Sequence, residues 1–171
     1  MTICIEGFMG CGKCSIGKIL SHRLGFPFID LDEYIAGTVG MSIPEIFSLR
    51  GEKAFREIET KCLENILSAQ EGDMVIALGG GTPVYNAGLI RKYSGLTIWL
   101  EASAGTVMER LKGETGSRPL LKGDTSLVET IMEERRNIYA SIADFRLSTD
   151  GKDPEHICSE ILGNCCKMIT K

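Results

Sequence analysis

The nine residues 7–15, GFMGCGKCS, hold Gly7, Gly12 and Lys13 in the spacing G-x-x-x-x-G-K, with Gly10 between them. TICIE at 2–6 precedes them as a short apolar run suited to a buried strand. KCSIGKILSHRL follows, with Ile16, Ile19, Leu20 and Leu24 recurring at helical spacing. A glycine loop between a strand and a helix is the setting in which this spacing binds phosphate. Glycines let the backbone N–H groups turn inward, the helix N-terminus adds partial positive charge, and the lysine reaches the outer phosphates. The expected nucleotide contacts are therefore Gly10, Cys11, Gly12, Lys13, Cys14 and Ser15.

Outward from the loop, strand and helix patterns alternate. Apolar runs in FPFIDLD (26–32), MVIAL (74–78) and LTIWL (96–100) read as strands buried on both faces, and FRLST (145–149) as a weaker fifth. Helical patterns cover 52–69, 86–93, 103–112, 125–143 and 154–168. This alternation predicts an α/β fold, a parallel sheet with helices on both faces. Two segments stand outside it. Residues 33–62 insert extra helix after the second strand and suit a substrate-binding subdomain; KGETGSRPLLKGD at 112–124 resembles a mobile lid.

A chain of 171 residues, 43% apolar, fits a single domain with a sizeable core. Its net charge of −4 offers no general attraction to nucleic acid or an anionic membrane, which points to a small-molecule partner. The N-terminus MTICIEG has no leader pattern, and no run approaches the roughly 18 apolar residues of a spanning helix, so a cytoplasmic chain is expected. Cysteines at 4, 11, 14, 62, 158, 165 and 166 form an odd set without the paired CxxC spacing of a zinc site, and reduced thiols are expected.

Several residues carry chemistry. Asp30 and Asp32, two apart near the end of the second strand, are read as pointing to one side at the sheet edge where such folds bind ligands. One suits a water-mediated metal contact and the other a base for a hydroxyl; helix capping by Asp32 is the competing reading. Arg56 and Glu59 lie at i, i+3, either as a surface ion pair or as a guanidinium fixed to grip an anion. Gly79, Gly80 and Gly81 end the third strand and allow a ligand close to the backbone. On the helix at 125–143, Leu127, Val128, Ile131, Ile138, Tyr139 and Ile142 form an apolar stripe. Arg135 lies inside that stripe and Arg136 about 100° away, which assigns Arg135 to a ligand and Arg136 to solvent. Arg118, before Pro119 in the lid-like segment, is placed to swing onto a transferring phosphate.

Taken together, GFMGCGK, FIDLD, FREIE, ALGGGTP, RPLL and the R-x-x-x-Y of Arg135 to Tyr139 resemble shikimate kinase in order and spacing over almost the whole chain. The resemblance implies a P-loop NTPase fold of the nucleoside-monophosphate-kinase type, five parallel strands in the order 2-3-1-4-5. It implies a monomeric enzyme that uses ATP and Mg²⁺ to phosphorylate the 3-hydroxyl of shikimate on the way to chorismate. Asp32 is then the likeness of the base, Arg56, Gly79, Gly80, Gly81 and Arg135 hold shikimate, and Glu59 orients Arg56. Lys13 and Arg118 meet the ATP phosphates, Arg110 lies along the adenine, and position 14 with Asp30 serves the metal. Two alternatives are a kinase for another hydroxy-carboxylate such as gluconate, and a catalytically silent nucleotide- or shikimate-binding protein.

Cys14 departs from the family pattern, which has Ser or Thr there. A thiol is a poor ligand for the hard magnesium ion, and Ser15 is rotated about 100° along the helix. Beside Lys13 at a helix N-terminus, Cys14 is expected to have a lowered thiol pKa, and Cys11 three residues away raises redox or thiophilic-metal inhibition as a second reading.

Overall fold

In the computed structural model, which describes residues 1–69, 72–112 and 125–169, every β-strand runs parallel to its neighbours. The order along the chain is β1 (Thr2–Glu6), α1 (Lys13–Leu24), β2 (Phe28–Asp30), α2 (Leu31–Val39), α3 (Ile43–Ser68) and β3 (Met74–Ala77). It continues through α4 (Thr82–Tyr93), β4 (Leu96–Glu101), α5 (Ala104–Leu111), α6 (Thr125–Ile142), β5 (Phe145–Ser148) and α7 (Pro154–Ile169). The sheet order is β2-β3-β1-β4-β5, which puts β1 and its following loop at the centre.

Strand alternation divides the core. Ile3 and Ile5 pack with Ile16, Leu20, Ile98, Leu100, Ile157 and Ile161 on one face. Cys4 packs with Leu31, Ile35, Phe55, Leu63, Ile76 and Ile90 on the other. Successive side chains of a strand point to opposite faces, so a helix layer is needed on each side. By the same alternation Glu6 follows Cys4, toward the layer of α2, α3 and α4.

Three boundaries differ from the sequence reading in ways that affect the site. β2 ends at Asp30, whose Oδ1 accepts hydrogen bonds from the N–H groups of Asp32 (3.0 Å) and Glu33 (3.3 Å) and so starts α2. Asp30 is therefore the helix cap, and Asp32 sits in the first turn of the helix rather than on the strand. α3 begins at Ile43, well before residue 52, because Ser42 and Glu45 form a reciprocal capping box. The helix is interrupted at Gly51, whose φ of 78° is a left-handed conformation that glycine tolerates at little cost. α4 likewise starts at Thr82, directly after the three glycines.

On α6, Val128, Tyr139 and Ile142 are buried, but Leu127, expected in the apolar stripe, is 42% exposed. No helix among the described residues is long and apolar enough to cross a membrane. Residues 113–124 of the lid-like segment, Arg118 included, lie outside the described residues.

Candidate active site

The glycine loop connects β1 to α1 at the C-terminal edge of the sheet. Gly7, Gly10 and Gly12 have φ of 140°, 75° and 97°. A Cβ on Gly7 would lie 2.2 Å from the Leu100 carbonyl oxygen, so the loop enters against β4 with no room for a side chain. Lys13 is buried, and its Nζ donates to the carbonyl oxygens of Gly7 (2.9 Å) and Phe8 (3.0 Å). Arg110 donates to the Gly10 carbonyl (3.1 Å) and to Thr149 through Oγ1 (3.1 Å) and the carbonyl oxygen (3.0 Å). It thereby ties the loop to the end of β5. Cys11 is buried in the core and Ser15 is exposed.

A second group of residues assembles around the loop after β3. Arg56 Nη1 donates to Glu59 Oε2 at 2.8 Å, and Glu59 Oε1 accepts from Thr82 Oγ1 at 2.7 Å. Glu59 is 1% exposed, so this is a buried, hydrogen-bonded carboxylate and not a surface ion pair. Burial alone would lower the Arg56 pKa, yet the hydrogen bond and charge of Glu59 raise it above the usual guanidinium value. Phe55 and Tyr85 flank the guanidinium, with ring centroids 5.0 and 4.6 Å from Cζ.

From the opposite side, Arg135 Nη1 donates to the Gly80 carbonyl oxygen at 3.0 Å, and the Tyr139 hydroxyl donates to the same atom. Arg136 turns away to Glu101 (3.1 Å) and Glu133 (3.1 Å). The glycines thus lie between the two arginines. A Cβ on Gly81 would approach the Arg56 guanidinium to 2.7 Å, and one on Gly80 would come 3.3 Å from the Met9 amide nitrogen. On Gly79 it would meet Thr82 Oγ1 at 2.8 Å and Asp32 Oδ1 at 3.0 Å. Asp32, Glu59, Arg56 and Arg135 are therefore gathered about Gly79–Gly81, beside the glycine loop.

Cys14 does not behave as the sequence suggests. Its Sγ donates to Asp30 Oδ2 at 2.6 Å. Loss of hydration at the sulfur, that hydrogen bond and the negative charge of Asp30 push the thiol up to about 12, against the pull of Lys13. The expected lowering is overturned because loss of hydration, joined by the Asp30 carboxylate, outweighs the pull of the lysine. Cys11 packs in the core while Cys14 faces Asp30, so the two thiols are not brought together. Among the described residues no cluster of three His, Cys, Asp or Glu side chains is placed to hold a metal.

Three contributors escaped the sequence reading. Thr82 anchors Glu59 and Thr149 anchors Arg110; neither residue type signals such a role. The third is Glu6, 0% exposed at the end of β1, whose two carboxyl oxygens have no hydrogen-bond partner. An acid in an apolar strand directly before the glycine loop was the available signal.

Comparison with known proteins identifies the family. The family model described as shikimate kinase matches residues 9–166. A shikimate kinase of Persephonella marina is 41% identical over 163 residues, covering 95% of this chain and 97% of its own. The structure of shikimate kinase from Acinetobacter baumannii in complex with shikimate superposes with a TM-score of 0.90 at 27% identity, covering 99% of this chain and 95% of that one. Shikimate kinase from Aquifex aeolicus gives a TM-score of 0.82 at 35% identity, covering 95% and 94%. With the glycine loop, the buried Arg56–Glu59 pair and the arginine-flanked glycines found in one parallel α/β sheet, the chain belongs to the shikimate kinase family.

Proposed function

We propose that the chain transfers the γ-phosphoryl group of ATP to the 3-hydroxyl of shikimate, giving shikimate 3-phosphate and ADP. The observation that carries this reading is the placement of two guanidinium groups on either side of Gly79–Gly81, with Asp32 next to them and a phosphate-binding loop alongside. Shikimate is a carboxylate and an alcohol at once, and this arrangement offers cations for the first and a base for the second.

In this reading the substrate carboxylate is gripped by Arg56, held in place by Glu59, and by Arg135. That grip orients the ring so that its 3-hydroxyl faces Asp32 and the glycine loop. Asp32 accepts the hydroxyl proton as the new oxygen–phosphorus bond forms and the bond to ADP breaks. Lys13 leaves the carbonyls of Gly7 and Phe8 for the phosphate oxygens, where its charge offsets the charge that develops during transfer. There is little covalent work in such a transfer, and alignment of acceptor and donor supplies most of the rate. Arg118 is proposed to add charge from the 112–124 segment and 33–62 to form the acceptor side; Arg110, braced against the loop, is proposed to flank the adenine.

The residue at position 14 does not fit as a direct magnesium ligand. The thiol is a soft donor, it is protonated, and it is engaged with Asp30, whose other oxygen caps α2. Asp30 would suit a hydrated magnesium ion at one water's remove, where the ion would supply positive charge to the nucleotide phosphates. A cytoplasmic monomer is proposed, and the net charge of −4 supports the absence of a nucleic-acid or anionic-membrane partner.

Gluconate suits the same arginines by charge alone, whereas the family match favours shikimate. A coupled ADP-release assay separates these readings: shikimate, gluconate or no acceptor, in Mg²⁺ and then Mn²⁺. ADP release that depends on shikimate is the expected result. Absence of shikimate-dependent turnover in both metals contradicts the proposal.

A further inference from the structure

Glu6 takes no part in the reaction described above, yet it lies at the root of the loop that performs it. It is the last residue of β1, and the two carbonyls that follow, Gly7 and Phe8, are the ones that hold Lys13 Nζ. Its side chain is fully buried and both oxygens lack a hydrogen-bond partner. A buried carboxylate without partners is costly, and a cation within reach is the compensation it would draw.

The charged and titratable groups linked to Glu6 lie on α1, on its own strand and on α6. Lys13 of α1 lowers its pKa, while Glu6 in turn raises the pKa values of Cys4 on its own strand and of Tyr139 on α6. Cys11 of the loop and Arg135 lie in the same neighbourhood, both acting on Tyr139. Arg135 is already committed to the Gly80 carbonyl and stacked over Phe8, with Cζ 5.5 Å from the ring centroid. Lys13 is held by two neutral carbonyls, with the Cys11 sulfur at 3.9 Å, so it is the cation whose position an ionised Glu6 would change.

We infer that Glu6 is a positioning residue for Lys13. As a neutral acid it leaves the ammonium on two carbonyls, from which nucleotide phosphates take it; as a carboxylate it draws the ammonium beneath the loop and competes with the phosphates. Burial pushes the Glu6 carboxyl up to about 9, against the lowering effect of Lys13, so the neutral form prevails near pH 7. The two states differ by one proton on Glu6 and involve no other reactant.

The inference rests on the reading that the loop binds nucleotide phosphates, and the test separates the two. ADP affinity of the full chain is measured by calorimetry without metal from pH 7 to pH 10, with circular dichroism confirming the fold at each pH. Glu6→Gln and Glu6→Leu are measured alongside, the second serving if the first does not fold. The titration of ADP itself is common to all three proteins. The wild-type chain is expected to lose ADP affinity relative to both variants above pH 9, by up to roughly tenfold per pH unit as expected for one linked proton. Parallel pH profiles in all three proteins overturn the role of Glu6 while leaving the loop assignment standing. Absence of ADP binding to the wild-type chain at every pH overturns the loop assignment and the inference with it.

Discussion

Cys14 Sγ donates to Asp30 Oδ2 at 2.6 Å, so the first turn of α1 is tied to the carboxylate that starts α2. The thiol occupies a position from which a hydroxyl would offer a hard oxygen to a divalent ion, and it spends its proton on Asp30 instead. Cys14→Ser should therefore strengthen the Mg²⁺-dependent part of ADP binding, by roughly tenfold, the scale at which changes around a metal's ligands are felt. Calorimetry of ADP with and without Mg²⁺, on both proteins, reads this directly. An equal Mg²⁺ effect in the two would show that position 14 does not matter to the ion.

The same contact predicts a sluggish thiol. With its pKa pushed up to about 12, Cys14 is almost entirely protonated at pH 8, and the thiolate is the reactive form. Cys14 should alkylate with iodoacetamide at least roughly tenfold more slowly than a free cysteine peptide at pH 8, as followed by peptide mass spectrometry. Asp30→Asn removes the charge that holds the proton and should speed the reaction.

Gly81 and Arg56 supply a steric test of the acceptor site. The backbone at Gly81 is ordinary right-handed helical, with φ −98° and ψ −15°, so alanine brings no backbone strain there. Its Cβ would nevertheless lie 2.7 Å from the Arg56 guanidinium, which would have to move. Gly81→Ala should weaken shikimate binding while leaving ATP affinity and thermal stability near wild type. Arg56→Ala and Arg135→Ala each remove a charged hydrogen bond of about 1.5–3 kcal/mol, a loss of roughly 10- to 100-fold in shikimate affinity. Equal loss of ATP affinity in these variants would contradict the assignment.

Glu6 makes a prediction about stability as well. Its carboxyl sits at about 9 in the folded chain against an ordinary value of 4.5, so the folded chain binds this proton more tightly than the unfolded chain. The contribution is thus fully favourable below pH 4.5 and is lost progressively as pH rises toward 9, at a slope on the order of 1.4 kcal/mol per pH unit at most. Glu6→Leu, which keeps an apolar group of similar size and leaves no unpaired oxygen, should be more stable than wild type at pH 8. Urea titrations at pH 5 and pH 8 should show the gap between the two proteins widening with pH.

Continuous apolar runs identified the strands, and resemblance of the linked motifs anticipated their order, because the central strands are covered by helices on both faces. What escaped was set by local competition between side chain and backbone. Strand periodicity was extended through Asp32, whereas the Asp30 carboxylate captures the next two free N–H groups and turns the chain into α2. Ser42 and Glu45 carried a capping box that places the start of α3, whereas the sequence reading put extra helix somewhere in 33–62 and a defined helical pattern only at 52–69. The Arg56–Glu59 spacing was compatible with a surface pair or a fixed guanidinium; burial of Glu59 and its bond to Thr82 separate the two, and both depend on α4 packing against α3. Similarly, the effect of Asp30 on Cys14 depends on β2 ending beside α1, 16 residues away in sequence.

The central claim is phosphoryl transfer to one hydroxyl of shikimate, and phosphorus NMR of the complete reaction tests it most directly. The full chain incubated with ATP, Mg²⁺ and shikimate should produce ADP and a phosphate monoester in equal amounts, with the ester phosphorus coupled to the proton on shikimate carbon 3. ADP accompanied only by inorganic phosphate, or an ester at a different carbon, would contradict the account.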